Sequence, residues 1–174
     1  MHAYIDKIGS RERLTWLGRM SRTPEMLGDD FDPEELSFPH PGIAITCREG
    51  AAQVAGQPGY YVINVAGELN TPSDLKMPVD PRDGVTATRA QLDRIAGVID
   101  QQLEGTDDTK VIVHCAMGIE RSALAVAWFL RSRLGYGSLT AAYDAISAAR
   151  PIVADRSHWV GEELDVPMPV NQVA

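Results

Sequence analysis

Val111-Ile112-Val113-His114-Cys115-Ala116-Met117-Gly118-Ile119-Glu120-Arg121-Ser122 leads directly into Ala123-Leu124-Ala125-Val126-Ala127-Trp128-Phe129-Leu130, and the change of pattern between its two ends decides the fold. Val111, Ile112 and Val113 are consecutive, apolar and β-branched rather than alternating with polar residues, so Lys110 to His114 reads as a strand buried on both faces. Arg121 to Leu134 reads as a helix, apolar on most sides and therefore central, ending at Gly135. A loop joining a buried strand to a helix N-terminus is a natural oxyanion cradle, because the first amides of the helix have no partners within it. This loop begins with a thiol, Cys115, and ends with a guanidinium, Arg121, whose planar donors match two phosphate oxygens in a way that lysine cannot. Gly118 lets the backbone between them turn in closely.

Working outward, Ser138 to Ala149 reads as a second helix, with Ser138 as N-cap and Pro151 as its stop. A last amphipathic piece spans roughly Asp155 to Leu164, before a tail carrying Pro167 and Pro169. Upstream, Thr86 to Leu103 repeats apolar residues at Leu92, Ile95, Ile99 and Leu103, an amphipathic helix with Thr86 or Thr88 available as N-cap. Before it, Leu69 to Gly84 holds Pro72, Pro78 and Pro81 with Asp74, Asp80 and Asp83. That composition makes a loop with at most a brief strand around Leu75 to Val79. Tyr60 to Val65 and Ile43 to Cys47 are strands, with a short helix from Arg48 to Ala55 between them. Asn64, near the end of its strand, has the usual role of bonding nearby backbone. Ser21 to Gly42, with Pro24, Pro33, Pro39 and Pro41, reads as a long irregular connection. Tyr4 to Ile8 is a short apolar run, and Arg11 to Met20 is compatible with a helix. Strands alternating with helices predict an α/β fold, a single-domain sandwich whose central, mostly parallel sheet is flanked by helices.

A chain of 174 residues, 44% of them hydrophobic, suffices for one domain with a real core. The formal net charge of −8 argues against a surface built to neutralise nucleic-acid phosphates. The longest apolar stretch, Ala123 to Leu130, is far shorter than the ~20 residues a membrane-spanning helix needs, and Met1 to Met20 carries too many charges for a signal peptide. Cys47 and Cys115 are too few and too far apart for a disulfide framework. These features together predict a cytoplasmic protein with no membrane or nucleic-acid partner. Its oligomeric state is left open.

His114-Cys115, five residues, then Arg121-Ser122, with Gly118 between, resembles the signature of the cysteine-dependent protein tyrosine phosphatases, and most of all their small dual-specificity branch. The proline-rich acidic loop upstream, the apolar helix after Arg121 and the run Ala149-Arg150-Pro151-Ile152 fit the same branch. The resemblance covers about residues 60–164 as a catalytic core. Residues 1–59 match only loosely, and 165–174 form the tail. It implies hydrolysis of phosphomonoesters, phosphotyrosine and phosphoserine or phosphothreonine among them, through a phosphocysteine on Cys115, with no cofactor and no metal. Arg121 and the backbone of Ala116, Met117, Gly118, Ile119 and Glu120 would hold the phosphate. His114 would fix the loop, Ser122 would assist departure of the thiolate, and Asp80 would be the general acid and then the base, with Asp83 as its rival.

Ala116, Met117, Ile119 and Glu120 include no lysine or arginine, which turns the loop away from polyanions and toward phosphoproteins or small phosphate esters. Glu120 departs from the small or polar residue usual there. A carboxylate facing a bound dianion would cost on the order of ~1 kcal/mol, so it turns outward to bind something, or holds Arg121 or another cation in place. Cys47 is either an unreactive buried thiol or a disulfide partner for Cys115. Trp128 and Phe129 read as core, and Arg150 as a buttress for the site or the partner of an acid. Two other readings compete. A rhodanese-like or Cdc25-type enzyme also runs its active loop from cysteine to arginine and can place Glu before that arginine, but such domains end soon after the loop. A phosphate-binding pseudophosphatase would keep the cradle without turnover.

Overall fold

The apolar runs of the sequence pair as the parallel centre of a five-stranded sheet. The computed structural model describes residues 31–79, 89–105 and 108–160. The elements run β1 (Ser37–His40), β2 (Ile43–Thr46), α1 (Arg48–Val54), β3 (Tyr60–Asn64), β4 (Leu75–Lys76), α2 (Arg89–Gly105), β5 (Lys110–His114), α3 (Arg121–Ser132) and α4 (Leu139–Ala149), followed by a 3-10 turn at Ser157–Val160. The sheet order is β1-β2-β5-β3-β4. β5 lies at the centre, parallel to β2 and β3, with Thr46 opposite His114 and Asn64 opposite His114 on its other edge. β4 extends β3 in parallel, and β1 closes the far edge antiparallel to β2. The α/β class and the mostly parallel sheet are as the sequence predicts.

Side chains alternate faces along a strand, and the core divides accordingly. Ile43, Ile45, Ile63, Val111 and Val113 pack with Leu92, Ile95 and Ile99 of α2, Leu124, Phe129 and Leu130 of α3, and Leu139 and Ile146 of α4. Ala44, Val62 and Ile112 face the other way, onto Ala51 of α1. Every residue of β5 after Lys110 is buried, which is why this strand shows no polar alternation. α3 lies in the thick layer with all residues from Ser122 to Arg131 buried. It finishes where Gly135, at φ 76°, lets the Tyr136 N–H reach back to Leu130 O at 3.2 Å. Ser138 caps α4 as expected, its Oγ accepting from Ala141 N at 3.0 Å.

Among the boundaries that differ from the sequence reading, three stand out. Ser37 to His40 is a strand, not part of an irregular connection. Its Pro39 lies on an edge strand, where a missing N–H is tolerated. The brief strand expected over Leu75 to Val79 is confined to Leu75–Lys76, although Met77 N and Val79 N still donate to Asn64 O and Val65 O, each at 2.9 Å. The piece expected from Asp155 begins as the short Ser157–Val160 turn. Asp80, Asp83, Thr86, Thr88, the expected elements before Phe31 and the tail lie outside the described residues. Among those described, no helix is long and apolar enough to cross a membrane.

Candidate active site

Parallel strands end together, and β2, β5 and β3 all deliver their carboxyl ends to one edge of the sheet, the usual place for ligands in an α/β fold. There β5 passes from His114 into Cys115. Cys115 is 4% exposed, and its Sγ lies 3.4 Å from Ser122 Oγ on the first turn of α3. Burial is the largest single influence on this thiol and opposes ionisation. The Ser122 hydroxyl, the Arg121 charge and the backbone N–H groups of Ser122 and Gly118 together outweigh it and hold the pKa below the usual thiol range. His114 is fully buried, and burial lowers its pKa, which favours the neutral imidazole. Its Nδ1 sits 3.2 Å from Cys115 O, so its visible task is to orient the loop.

The loop is gripped from outside. Ala116 O accepts from Arg48 N at 3.2 Å and Ile119 O from Ala154 N at 3.0 Å. Between them, Met117 O and Gly118 O accept from Arg150 Nη2 and Nε at 3.1 and 2.7 Å. In a trans peptide the C=O and the following N–H point in opposite directions. Four successive carbonyls held outward therefore aim the amides of Met117, Gly118, Ile119 and Glu120 inward. Among the described residues, no N–H of Ala116, Met117, Gly118 or Ile119 donates to a backbone oxygen. These amides and the N-terminus of α3 make the cradle expected from the sequence.

Arg150 is thus the loop's buttress. It is fully buried and also bonds Pro33 O at 2.9 Å and Ser37 Oγ at 3.1 Å, with its guanidinium 5.4 Å from the Phe31 ring. The segment before β1, read as a wrapping connection, is tied through it to the back of the cradle. Gly118, at φ 66°, allows this approach: a Cβ there would stand 2.5 Å from Thr46 O and 2.7 Å from Arg150 Nη2.

Arg121 does not point at Glu120. Its Nη1 and Nη2 donate to the two carboxylate oxygens of Glu68 at 2.8 and 2.6 Å. Donation from Arg121 is the main cause of a Glu68 pKa lowered to about 2. A bidentate pair at the guanidinium's end leaves the edge carrying Nε open to an oxyanion, and among the described residues Nε makes no hydrogen bond. Glu68 is presented by a turn that Asn64 closes, its Oδ1 accepting from Ala66 N at 2.8 Å and its Nδ2 donating to Leu69 O at 3.1 Å. This is the local backbone role the sequence assigned to Asn64. The importance of Glu68 was not legible, since nothing beside it in sequence marks a partner 53 residues away.

Glu120 takes the outward course open to it and holds another cation. Arg156 Nε and Nη2 reach its Oε1 at 2.7 and 2.6 Å. Arg156 is itself placed by its backbone N–H on Tyr143 Oη at 3.2 Å and by its guanidinium 5.7 Å from the Trp159 ring. With Ala154 N on Ile119 O, the segment after α4 clamps the end of the loop at two consecutive residues.

Cys47 caps α1 at the end of β2, one residue past the Thr46–His114 pair. It is a fully buried free thiol, and burial pushes its pKa up to about 11, as expected for the unreactive alternative. Trp128 and Phe129 are core residues, the indole N–H donating to Asp93 Oδ1 at 2.7 Å.

The family model of the dual specificity phosphatase catalytic domain matches residues 49–162. The chain belongs to that family. The match begins within α1, upstream of the Tyr60 expected from the signature region, and runs past the Arg156 clamp. Solved structures agree on the fold. Human DUSP28 is 20% identical, with a TM-score of 0.57 over 74% of this chain and 88% of its own. A mouse putative dual specificity phosphatase complexed with zinc tungstate is 20% identical, with a TM-score of 0.59 over 76% and 85%. PTPMT1 in complex with PI(5)P is 18% identical, with a TM-score of 0.55 over 68% and 85%. No curated protein matches the sequence. Membership makes this a phosphatase-family hydrolase domain and leaves the rhodanese-like reading without support, in keeping with the two helices that follow the loop.

Proposed function

We propose that this phosphatase hydrolyses phosphomonoesters, phosphotyrosine and phosphoserine or phosphothreonine esters among them, through a phosphocysteine on Cys115. The observation that carries the reading is the thiol of Cys115, held below its usual pKa at the base of a loop whose carbonyls are all drawn outward. The inward amides and the Nε edge of Arg121 would bind the phosphate oxygens. The Cys115 thiolate then attacks phosphorus, an S–P bond forms and the ester O–P bond breaks, and the departing oxygen takes a proton from Asp80, with Asp83 as the alternative donor. Water next attacks the phosphocysteine, giving its proton to the same aspartate. The S–P bond breaks, and Ser122 donates a hydrogen bond to the released thiolate. His114 keeps the loop oriented, and a reducing cytoplasm would keep Cys115 free.

Hydrolysis of para-nitrophenyl phosphate tests this. Cys115→Ser should abolish turnover while orthovanadate or phosphate still binds, and full activity in that variant would overturn the mechanism. With a poor leaving group, Asp80→Asn should lower turnover far more than Asp83→Asn. The reverse order moves the acid to Asp83.

A further inference from the structure

Beside the cradle lies a cavity of about 710 Å³, within the range of small-molecule sites. It is lined by Arg121 and Glu68, by Lys76 of β4 and by Arg94 of α2, with Met77 as an apolar contribution. Resting on the phosphatase reading above, we propose that this cavity is a second anion subsite, and that the enzyme prefers a small phosphorylated polyol bearing another phosphate over a plain monoester.

Sheet register supports the placement. Thr46, His114, Asn64 and Lys76 form one row across four strands, so Lys76 leaves the sheet at the same edge as the loop. Two strand spacings separate it from β5, roughly 10 Å, a span that one ring or short polyol bridges. Arg94 comes from α2 and shares a helix face with Gln91, three residues earlier, which also borders the cavity.

The charge balance supports the ligand class. In a chain with 24 acidic and 16 basic residues, most cations are expected to find acids. Arg121 already has Glu68, whereas among the described residues neither Lys76 nor Arg94 makes a hydrogen bond or ion pair. Arg94 and Lys76, whose charge also acts on Glu68, add positive charge around the Arg121–Glu68 pair in this one cavity and focus the local field onto an incoming anion. The absence of basic residues inside the loop is therefore offset from outside it, by β4 and α2. The cavity is partly open, and the roughly 10 Å from β5 to Lys76 matches one ring or a short polyol.

The experiment compares kcat/KM for an inositol bisphosphate, the matching monophosphate and para-nitrophenyl phosphate in the wild type and in Lys76→Gln/Arg94→Gln. The wild type should favour the bisphosphate over the monophosphate at least tenfold. The double variant should lose that ratio, and Lys76→Arg/Arg94→Lys should keep it. The same headgroup on a lipid in vesicles separates a lipid source from a soluble one. No preference in the wild type, or a preference that survives the double variant, overturns the subsite. So does a stronger, charge-dependent preference for an acidic phosphopeptide. Failure to hydrolyse para-nitrophenyl phosphate would instead defeat the phosphatase reading itself.

Discussion

Two thiols at one sheet edge differ because their surroundings differ. Cys115 gains a hydroxyl, two amides and a guanidinium, whereas Cys47 gains burial beside the Glu49 carboxylate and rises to about 11. Iodoacetamide at neutral pH should therefore modify Cys115 and leave Cys47 untouched, as peptide mass mapping will show. With the Cys115 thiolate as the proposed nucleophile, kcat/KM should fall as pH drops through the Cys115 pKa. Ser122→Ala removes a bond to the anion, so it should move that acidic limb to higher pH. At Gly118, a methyl group meets both a left-handed backbone and the Arg150 guanidinium. The backbone term alone is roughly 1 kcal/mol, and the clash disturbs the cradle further. Gly118→Ala should lower kcat/KM by at least about tenfold with little change in far-ultraviolet circular dichroism.

Elements hold the loop from three directions: α1 through Arg48 N, the end of α4 through Arg150, and the following segment through Ala154 and Arg156. Glu120 and Arg156 act as a unit, so their effects should not add. Glu120→Ala and Arg156→Ala should each lower kcat/KM several-fold, on the order of 1 kcal/mol for a partly buried pair. The double variant should be little worse than either, and full additivity would show that the two act separately. This clamp also marks the limit of what the chain discloses to a reader. Cys115, Gly118, Arg121 and Ser122 were legible because their chemistry depends on neighbours a few residues away, and α3 and β5 because their apolar runs are continuous. Arg156 and Glu68 were not, since an arginine or glutamate in a loop has no local pattern and gains its role only from a distant partner. β1 was hidden by Pro39, which local propensity counts against a strand and an edge position forgives.

At the scale of the molecule, one thick core layer supports the site. α3 is packed between the sheet and its neighbouring helices, so Leu124→Ala, at a fully buried position, should cost about 2–5 kcal/mol in a urea unfolding curve and loosen the start of the helix that carries Arg121 and Ser122. The sheet brings thiol, cradle and flanking cations to one edge. All of this serves one chemical claim, that Cys115 itself carries the phosphoryl group between substrate and water. The measurement is rapid acid quenching of Ser122→Ala during turnover of para-nitrophenyl phosphate, followed by mass spectrometry of the peptide containing Cys115. A peptide heavier by one phosphoryl group, absent from Cys115→Ser, is the predicted result. An unmodified Cys115 peptide at every time point, with para-nitrophenol still being released, would contradict the account.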